Sequence, residues 1–473
     1  MTAWMHQGCS CLAAFALLGC AETRAPVAQA HFPVRPWHGR DRSESFRLGP
    51  PAAGPEVKLP PQAVEETELP NGMRILLVPR HDFPLVNVAL VLRRGAVDAP
   101  PGVADMASRL LAAMQRVWMV RANPEAVWLF ISMPPGLIPL RFHIGADLLR
   151  RPVFTDYGLA VEQTRMRTER ATDSPSVRVV DRLLYPEGHA YRVPGRGLGV
   201  LADKINLGQL TDFARMNIAP DQTVVVAVGD ITMSRLKELA EDAFENWVGK
   251  AALRTPPPPA VDRLPVAPTI TLIDRPTLTQ SEILVAAPGS SVLAKDFAAL
   301  EVLNAILCGA PTTSRINSVM REERGYTYQA ISLLDARLGP GPFLLKQAVA
   351  KESTTDSLRE VLHQIDRLRR EDVSEEELGA AQARLQSSVL LAYDSFQTTF
   401  DSLVRMAILG LPADHATHQL ARIRTVTVKD VRAAAAKYLA TERLRVVVVG
   451  DVTAIKKPLE AIGLGEVHVV ENQ

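Results

Sequence analysis

The residues in this chain with the clearest chemical potential are Arg321 and Tyr328, seven positions apart in the segment SRINSVMREERGYTYQAIS (314–332). A guanidinium and a phenol held together suit a peptide carbonyl whose oxygen becomes negatively charged during hydrolysis. Short motifs also arise by chance, and the plain alternative is a surface arginine on a helix and an ordinary strand tyrosine. Which of these two interpretations is favoured depends on the secondary structure predicted around Arg321 and Tyr328.

A helix, a turn and a strand are predicted around this pair. The apolar residues from Ile316 to Met320 have helical spacing. Gly325 can adopt the left-handed conformation that ends a helix, and 326–334 has the composition of a strand. Arg321, in the last helical turn, and Tyr328, in the strand, would therefore flank one helix-to-strand turn, where their side chains could converge.

Length and composition describe a globular protein with a sizeable core. The chain has 473 residues, 47% of them hydrophobic, and a formal net charge of +1. This length allows two or three domains. A nearly neutral chain lacks the basic surface that nucleic-acid binding requires, so nucleic acid is not expected as a partner.

The N-terminus, 1–19, is predicted to be a signal peptide and not part of the fold. Its apolar run ends in Leu-Leu-Gly-Cys and is too short to span a bilayer. The run is similar to a bacterial lipoprotein signal, which would make Cys20 the lipidated first residue; a plain secretory signal is the alternative. By the same resemblance, Ala21 after the cysteine favours the outer membrane. We therefore expect a cell-envelope protein that faces the periplasm and touches the membrane only through its lipid anchor.

Two proline-rich stretches divide the remaining chain. Residues 20–61 lack periodicity and are predicted to be a tether. Residues 255–267 include four consecutive prolines and are predicted to be a semi-rigid linker. These stretches indicate an N-terminal domain, 62–254, and a C-terminal domain, 268–473.

The two domains are predicted to be homologous copies. The first ends in TVVVAVGDITMSRLKELAEDAF and the second in LRVVVVGDVTAIKKPLEAIG, with Gly229-Asp230 and Gly450-Asp451 at matching places. Each copy begins with two apolar strands, which we expect to pair as a hairpin ahead of a helix. A repeat of this length indicates a duplicated domain and not a solenoid. The predicted fold class is α+β, with an antiparallel-rich sheet covered by helices in each domain.

Several landmarks in this order resemble the pitrilysin/insulinase family of zinc peptidases, in its short bacterial form. They are ELPNGMRILLVPRHDFPLVNVALVLRRGAVDAPPGVADMASRLL, LNAILCGAPTTSRINSVMREERGYTYQAIS and the closing VVVVGDV, spread over residues 65–473. The resemblance implies two homologous domains that face each other around a cavity. It also implies that Arg321 and Tyr328 bind the substrate backbone and the developing oxyanion.

The metal helix of that family differs in this chain. Active members carry H-x-x-E-H, in which two histidines bind zinc and the glutamate is the general base. The resemblance aligns Asp105, Ser108 and Arg109 with those three positions, and it aligns Glu169 loosely with the third ligand. A catalytic zinc site needs three protein ligands, and an arginine at a ligand position would repel the cation. Neither a bound metal nor a catalytic residue is therefore expected in this chain.

Two functions fit these observations. The first is the non-catalytic, substrate-binding subunit of a heterodimeric zinc peptidase. A paralogous partner with H-x-x-E-H would supply zinc and base, while Arg321 and Tyr328 hold the peptide substrate. Metalloendopeptidase activity is then expected only with that partner. The second is a binding or scaffold lipoprotein that has no role in proteolysis.

Overall fold

A computed structural model describes residues 64–115, 117–168, 175–192, 198–252, 264 and 269–470, and all of them belong to one compact unit. The predicted signal peptide, Cys20, the tether, Glu169 and nearly all of the predicted linker lie outside the described residues. Across the described ranges, no helix is long and apolar enough to cross a membrane.

The N-terminal half contains one six-stranded sheet with the order β1-β2-β6-β3-β5-β4. Its strands are β1 (Glu65–Glu68), β2 (Arg74–Pro79), β3 (Val86–Leu92), β4 (Met119–Ala122), β5 (Val127–Met133) and β6 (Thr223–Gly229). Its helices are α1 (Val103–Met114), α2 (Ile138–Arg150), α3 (Asp156–Thr168), α4 (Pro175–Leu184), α5 (Leu207–Asn217) and α6 (Met233–Ala243).

The C-terminal half repeats this plan with a second six-stranded sheet. Its strands are β7 (Ile270–Asp274), β8 (Gln280–Pro288), β9 (Ile331–Leu334), β10 (Pro342–Ala350), β11 (Arg445–Gly450) and β12 (Val467–Val470). Its helices are α7 (Phe297–Cys308), α8 (Arg315–Asn317), α9 (Thr354–Arg370), α10 (Glu375–Leu391), α11 (Phe396–Leu409), α12 (His415–Thr425), α13 (Val428–Tyr438) and α14 (Val452–Glu460).

The two sheets confirm the predicted α+β class with a duplicated, antiparallel-rich design. The second sheet has the order β12-β7-β11-β8-β10-β9. From the second position onward, its strands β7, β11, β8, β10 and β9 correspond to β2, β6, β3, β5 and β4 of the first sheet. The sheets differ at the remaining edge. There β1 comes from the start of its half and is antiparallel to β2, whereas β12 comes from the chain end and is parallel to β7.

The predicted hairpin at the front of each copy is wrong. β6 lies between β2 and β3, parallel to the former and antiparallel to the latter, and β11 separates β7 from β8 in the same way. The physical reason is burial: β6 has the sequence TVVVAVG and is buried along its whole length, so it takes a central position. Nothing in the local sequence of the first two strands reveals this distant neighbour.

Each half contributes one helix to the second face of the other half's sheet. α11 packs on β2, β3 and β6, where Leu403 shares a buried cluster with Val226. α4 packs on β8 and β11, where Leu184 shares a buried cluster with Val447. Because both faces of each sheet are covered, β3 and β6 are buried at every position and have continuous apolar sequences. The two halves are therefore joined through their cores.

Candidate functional site

Arg321 lies in a helical segment of unusual winding. The single turn α8 continues directly into a π-helix, Ser318–Glu323, and Gly325 follows at φ 63°. Ile316 and Met320 are fully buried in the core of the C-terminal half and fix the apolar side of this segment. The predicted helix and its glycine stop are thus present, although the part that carries Arg321 is π-helical. Such turns are rare and often occur at functional sites.

Tyr328 lies in an irregular loop and not in a strand. β9 begins only at Ile331, so the predicted strand is correct for 331–334 and wrong for 326–330. The backbone N–H of Tyr326 donates to the carbonyl of Met320 at 2.8 Å, a bond that turns the chain back toward the helix. The loop therefore follows the helix end and leaves the sheet edge to β9.

Asn317 holds this loop in place and is the residue that the sequence reasoning missed. It is fully buried, its Oδ1 accepts the N–H of Ala330 at 2.8 Å, and its Nδ2 donates to the carbonyl of Ala330 at 3.1 Å. Nδ2 also donates to the carbonyl of Ala310 at 3.0 Å. The side-chain amide of Asn317 thus links the backbone before the helical segment, at Ala310, to the backbone at the end of the loop, at Ala330. A buried asparagine at an otherwise apolar helical position was the available signal, because such a group needs partners.

Arg321 and Tyr328 converge across this turn. The guanidinium carbon of Arg321 lies 4.6 Å from the centroid of the Tyr328 ring, within the range of a cation–π contact. Tyr328 is 79% exposed, the Arg321 side chain is 32% exposed, and Arg321 Nε lies 3.3 Å from Glu322 Oε1. Both polar groups therefore remain accessible to a peptide, while their role toward a substrate stays a prediction.

The three positions aligned with the metal motif lie on α1 and bond to one another. Arg109 Nε lies 2.8 Å from Asp105 Oδ2, and Ser108 Oγ donates to the carbonyl of Asp105 at 2.7 Å. The Arg109 and Asp105 side chains are each partly exposed. A carboxylate that neutralises a guanidinium one turn away is a common surface arrangement on a helix. These residues do not fit a zinc ion, since a cation already occupies the side-chain space beside the carboxylate.

The facing helix α3 completes a cluster of charges. Glu162 is buried, and its Oε1 accepts a hydrogen bond from Arg165 Nη1 at 2.5 Å. Glu162 and Arg109 line the same cavity between α1 and α3. Glu169, the fourth position, lies outside the described residues. Within the described ranges, no group of three or more His, Cys, Asp and Glu side chains is placed to hold a metal ion.

A second polar cluster joins the two halves beneath the exchanged helices. The hydroxyl of Tyr191 donates to the carboxylate of Glu125, and both side chains are buried. Two backbone N–H groups of the C-terminal half bind this pair: Gly339 N–H donates to Tyr191 Oη at 2.9 Å, and Leu338 N–H donates to Glu125 Oε1 at 3.2 Å. The Arg337 guanidinium lies 4.8 Å from the Tyr191 ring centroid. The halves therefore meet through specific hydrogen bonds as well as apolar packing.

A family model and a curated relative each match a part of this chain. The family model described as Peptidase M16 inactive domain matches residues 204–385. A Mycobacterium tuberculosis protein described as an uncharacterized zinc protease is 24% identical over 322 residues, which are 66% of this chain and 72% of that protein.

Two solved structures share the fold. One is a peptidase M16 inactive domain from Pseudomonas fluorescens, with a TM-score of 0.71, 21% identity, and coverage of 82% of this chain and 98% of that chain. The other is an M16-like peptidase from Alicyclobacillus acidocaldarius, with a TM-score of 0.70, 18% identity, and coverage of 82% and 97%. At these identities the likeness concerns the fold alone.

Proposed function

We propose, since this chain is a peptidase-like protein of the M16/pitrilysin family, that it is the non-catalytic, substrate-binding subunit of a heterodimeric zinc peptidase in the bacterial cell envelope. One observation carries this proposal. The Arg321–Tyr328 pair is assembled and accessible, whereas Asp105 and Arg109 are committed to each other at the positions where a metal would bind. This contrast supports a subunit that binds the peptide and takes its zinc from a partner.

Arg321 and Tyr328 would hold the backbone of the peptide. The guanidinium donates in a fixed fork, and the phenol adds one more donor, so the two can share a carbonyl oxygen whose negative charge grows in the transition state. The ring contact restricts the arginine before substrate arrives, which reduces the entropy lost on binding. The partner subunit, a paralogue with H-x-x-E-H, would supply zinc and the general base.

The decisive experiment measures peptide cleavage by the reconstituted complex. The full chain is combined with an H-x-x-E-H paralogue from the same source, and kcat/KM is measured on a quenched fluorescent peptide. We expect no cleavage by this chain alone and cleavage by the complex. Arg321→Ala should lower kcat/KM by about 100-fold, the order found when one oxyanion donor is removed. Tyr328→Phe, which keeps the ring contact and removes the hydroxyl, should have a smaller effect.

Arg324→Ala is the matched control for this series. Arg324 is exposed and lies in the same segment, three residues after Arg321. Its loss should leave kcat/KM unchanged. Equal activity of the Arg321→Ala and unaltered complexes would instead favour the scaffold lipoprotein, and zinc-dependent cleavage by the isolated chain would overturn both proposals.

The envelope location has its own test. If Cys20 carries a lipid, Cys20→Ser should move the protein from the membrane fraction to the soluble fraction. Cys11→Ser lies inside the predicted signal peptide and should leave the protein with the membrane. Mass spectrometry of the mature N-terminus would show the acyl chains directly, and an unmodified N-terminus elsewhere in the chain would contradict lipidation.

A further inference from the structure

The C-terminal half contains a cavity that is separate from the Arg321–Tyr328 pair. It lies between α7, α10, α11 and α12, and its volume is about 250 Å³. α7 follows β8 as α1 follows β3, and α10 is the second helix after β10 as α3 is the second after β5. The cavity therefore lies beside the two helices that correspond to α1, which carries Asp105, Ser108 and Arg109, and to α3.

The wall of this cavity combines apolar and charged side chains. Phe297, Val389 and Met406 are among its apolar residues, and Arg405 and Arg422 are its two guanidiniums. Arg405 also borders a larger cavity beside β5, and Arg422 does not line that second cavity. Mixed lining of this kind, mostly apolar with a few convergent polar groups, is typical of sites for small molecules.

The two guanidiniums are not neutralised by close ion pairs. Within the described part of the chain, neither Arg405 nor Arg422 forms an ion pair or a side-chain hydrogen bond, and both act on Glu301 over a longer distance. Glu301 instead accepts a hydrogen bond from Gln419 Nε2 at 3.0 Å. Arginines in this position retain their donors for another acceptor.

The titratable groups of the wall leave the cavity positive at neutral pH. Burial raises the pKa of Glu301 to about 7, against the attraction of Arg405, the Gln419 hydrogen bond and the attraction of Arg422. Burial, with repulsion from the same two arginines and from His418, lowers the pKa of His415 to about 4, although Asp414 opposes this shift. His415 is then neutral, and one partly ionised carboxyl cannot balance two permanent cations.

We propose that this cavity binds a small organic acid, with its carboxylate at Arg405 and Arg422 and its apolar part against Phe297 and Met406. Arginine is the side chain best suited to a carboxylate, because its fork can donate two parallel hydrogen bonds. The volume suits a compact ligand of roughly a dozen non-hydrogen atoms.

Calorimetric titration of the isolated full chain tests this site without the peptidase partner. The probe is 4-phenylbutyrate, and its neutral counterpart is 4-phenylbutyramide, which has nearly the same shape. We expect one molecule of the acid to bind per chain, and the amide to bind about ten-fold more weakly, as loss of a charge-assisted hydrogen bond predicts. Absence of binding, or equal affinity for acid and amide, would overturn the proposal.

Three variants locate the bound acid. Arg422→Gln and Arg405→Gln should each weaken binding of the acid by about ten-fold and leave binding of the amide nearly unchanged. Arg424→Gln is the matched control, since Arg424 lies on the same helix, is hydrogen-bonded to Gln386 at 3.0 Å and does not line the cavity. All three arginines are exposed, so the variants should fold. Acid affinity that is unchanged in Arg422→Gln would place the acid elsewhere and refute this site.

Discussion

The two halves of this chain share an architecture and differ in chemistry. Each has six strands in the same order, its own helices on one face and a helix of the other half on the second face. On α1, Asp105 and Arg109 bind each other; after α7, Arg321 and Tyr328 converge at an accessible turn. The difference teaches that buried apolar residues maintain the shared backbone, while partly exposed polar positions can change without loss of the fold.

The largest effect is expected from the exchanged helices. Leu403→Ala in α11 and Leu184→Ala in α4 each remove a fully buried side chain, and each should lower the free energy of unfolding by about 3 kcal/mol. Because each helix packs on the sheet of the other half, we expect both halves to unfold in one transition. Leu391→Ala, at a side chain that is 62% exposed, should change the free energy by less than about 0.5 kcal/mol.

Urea unfolding with two probes measures this coupling. Residues 268–473 contain no tryptophan, whereas Trp118, Trp128 and Trp247 lie in the N-terminal half, so an unfolding transition seen by fluorescence reports on that half. Far-ultraviolet circular dichroism reports on the helices of both. Coincident transitions for Leu403→Ala, which changes a helix of the C-terminal half, would support joint unfolding. Two separated transitions would show that the halves are stable independently.

A matched pair of buried asparagines sharpens the comparison between the halves. The side chain of Asn317 makes five hydrogen bonds, to Cys308 Sγ, the carbonyl of Ala310, Ser314 Oγ and both backbone groups of Ala330. Asn217 makes one within its own helix, to the carbonyl of Phe213. Asn317→Ala should cost about 3 kcal/mol because it leaves buried groups unpaired, and Asn217→Ala should cost about 1 kcal/mol. Thermal or urea unfolding measures both, and equal losses would contradict the role given to Asn317.

The pH dependence of stability should differ at one aspartate of each half. Burial raises the pKa of Asp181 to about 6, with Arg337 opposing and Asp335 adding to the shift. The folded state therefore binds the Asp181 proton more tightly than the unfolded state does. The protonated carboxyl contributes its full share to the free energy of unfolding below about pH 4, and this contribution is lost as the pH rises through about 6. Asp181→Asn should flatten this decline and raise the free energy of unfolding at pH 7 by about 2 kcal/mol.

Asp296 of the C-terminal half should behave in the opposite way. Burial alone would raise its pKa, but hydrogen bonds from Lys437 and Tyr438 outweigh burial and lower it. The ionised carboxylate of Asp296 therefore stabilises the fold at pH values above its pKa in the unfolded chain. This stabilisation is lost as the pH falls through the lower pKa of the folded state. Asp296→Asn should therefore destabilise at pH 7 and have little effect in acid. Urea unfolding at pH 4, 5.5 and 7 measures how each variant changes the free energy of unfolding. The same pH dependence for Asp181→Asn and Asp296→Asn would contradict the opposite pKa shifts given to the two aspartates.

The smallest effect is expected at the degenerate metal positions. The Asp105–Arg109 pair is one turn apart on a helix and partly exposed, so Asp105→Asn should change the free energy of unfolding by only about 0.5 kcal/mol, and less in high salt. Unfolding measured at low and high ionic strength checks both statements. A loss as large as that of Asn317→Ala would mean that this pair supports the fold and is more than a substitute for lost ligands.

Much of the fold was readable in the sequence, because apolar periodicity and the repeated Gly-Asp landmarks are local. The repeated helix, buried strand and second helix at each domain end are present as α5, β6 and α6 and as α13, β11 and α14. The hairpins were wrong because β6 and β11 enter from far along the chain. The exchanged helices α4 and α11 were not foreseen, since an amphipathic helix does not specify which sheet it covers.

At the candidate site, the sequence by itself determined the residue types: an arginine and a tyrosine seven positions apart, and a helix without histidine at the family's metal positions. The tertiary structure alone decided that Arg321 and Tyr328 touch, because that contact depends on a π-helical segment and on the buried amide of Asn317. It also decided that the two halves share their cores and that Arg405 and Arg422 line one cavity. The physical reason is range: propensity and periodicity act between neighbours along the chain, whereas burial and hydrogen bonding act between residues that only folding brings together.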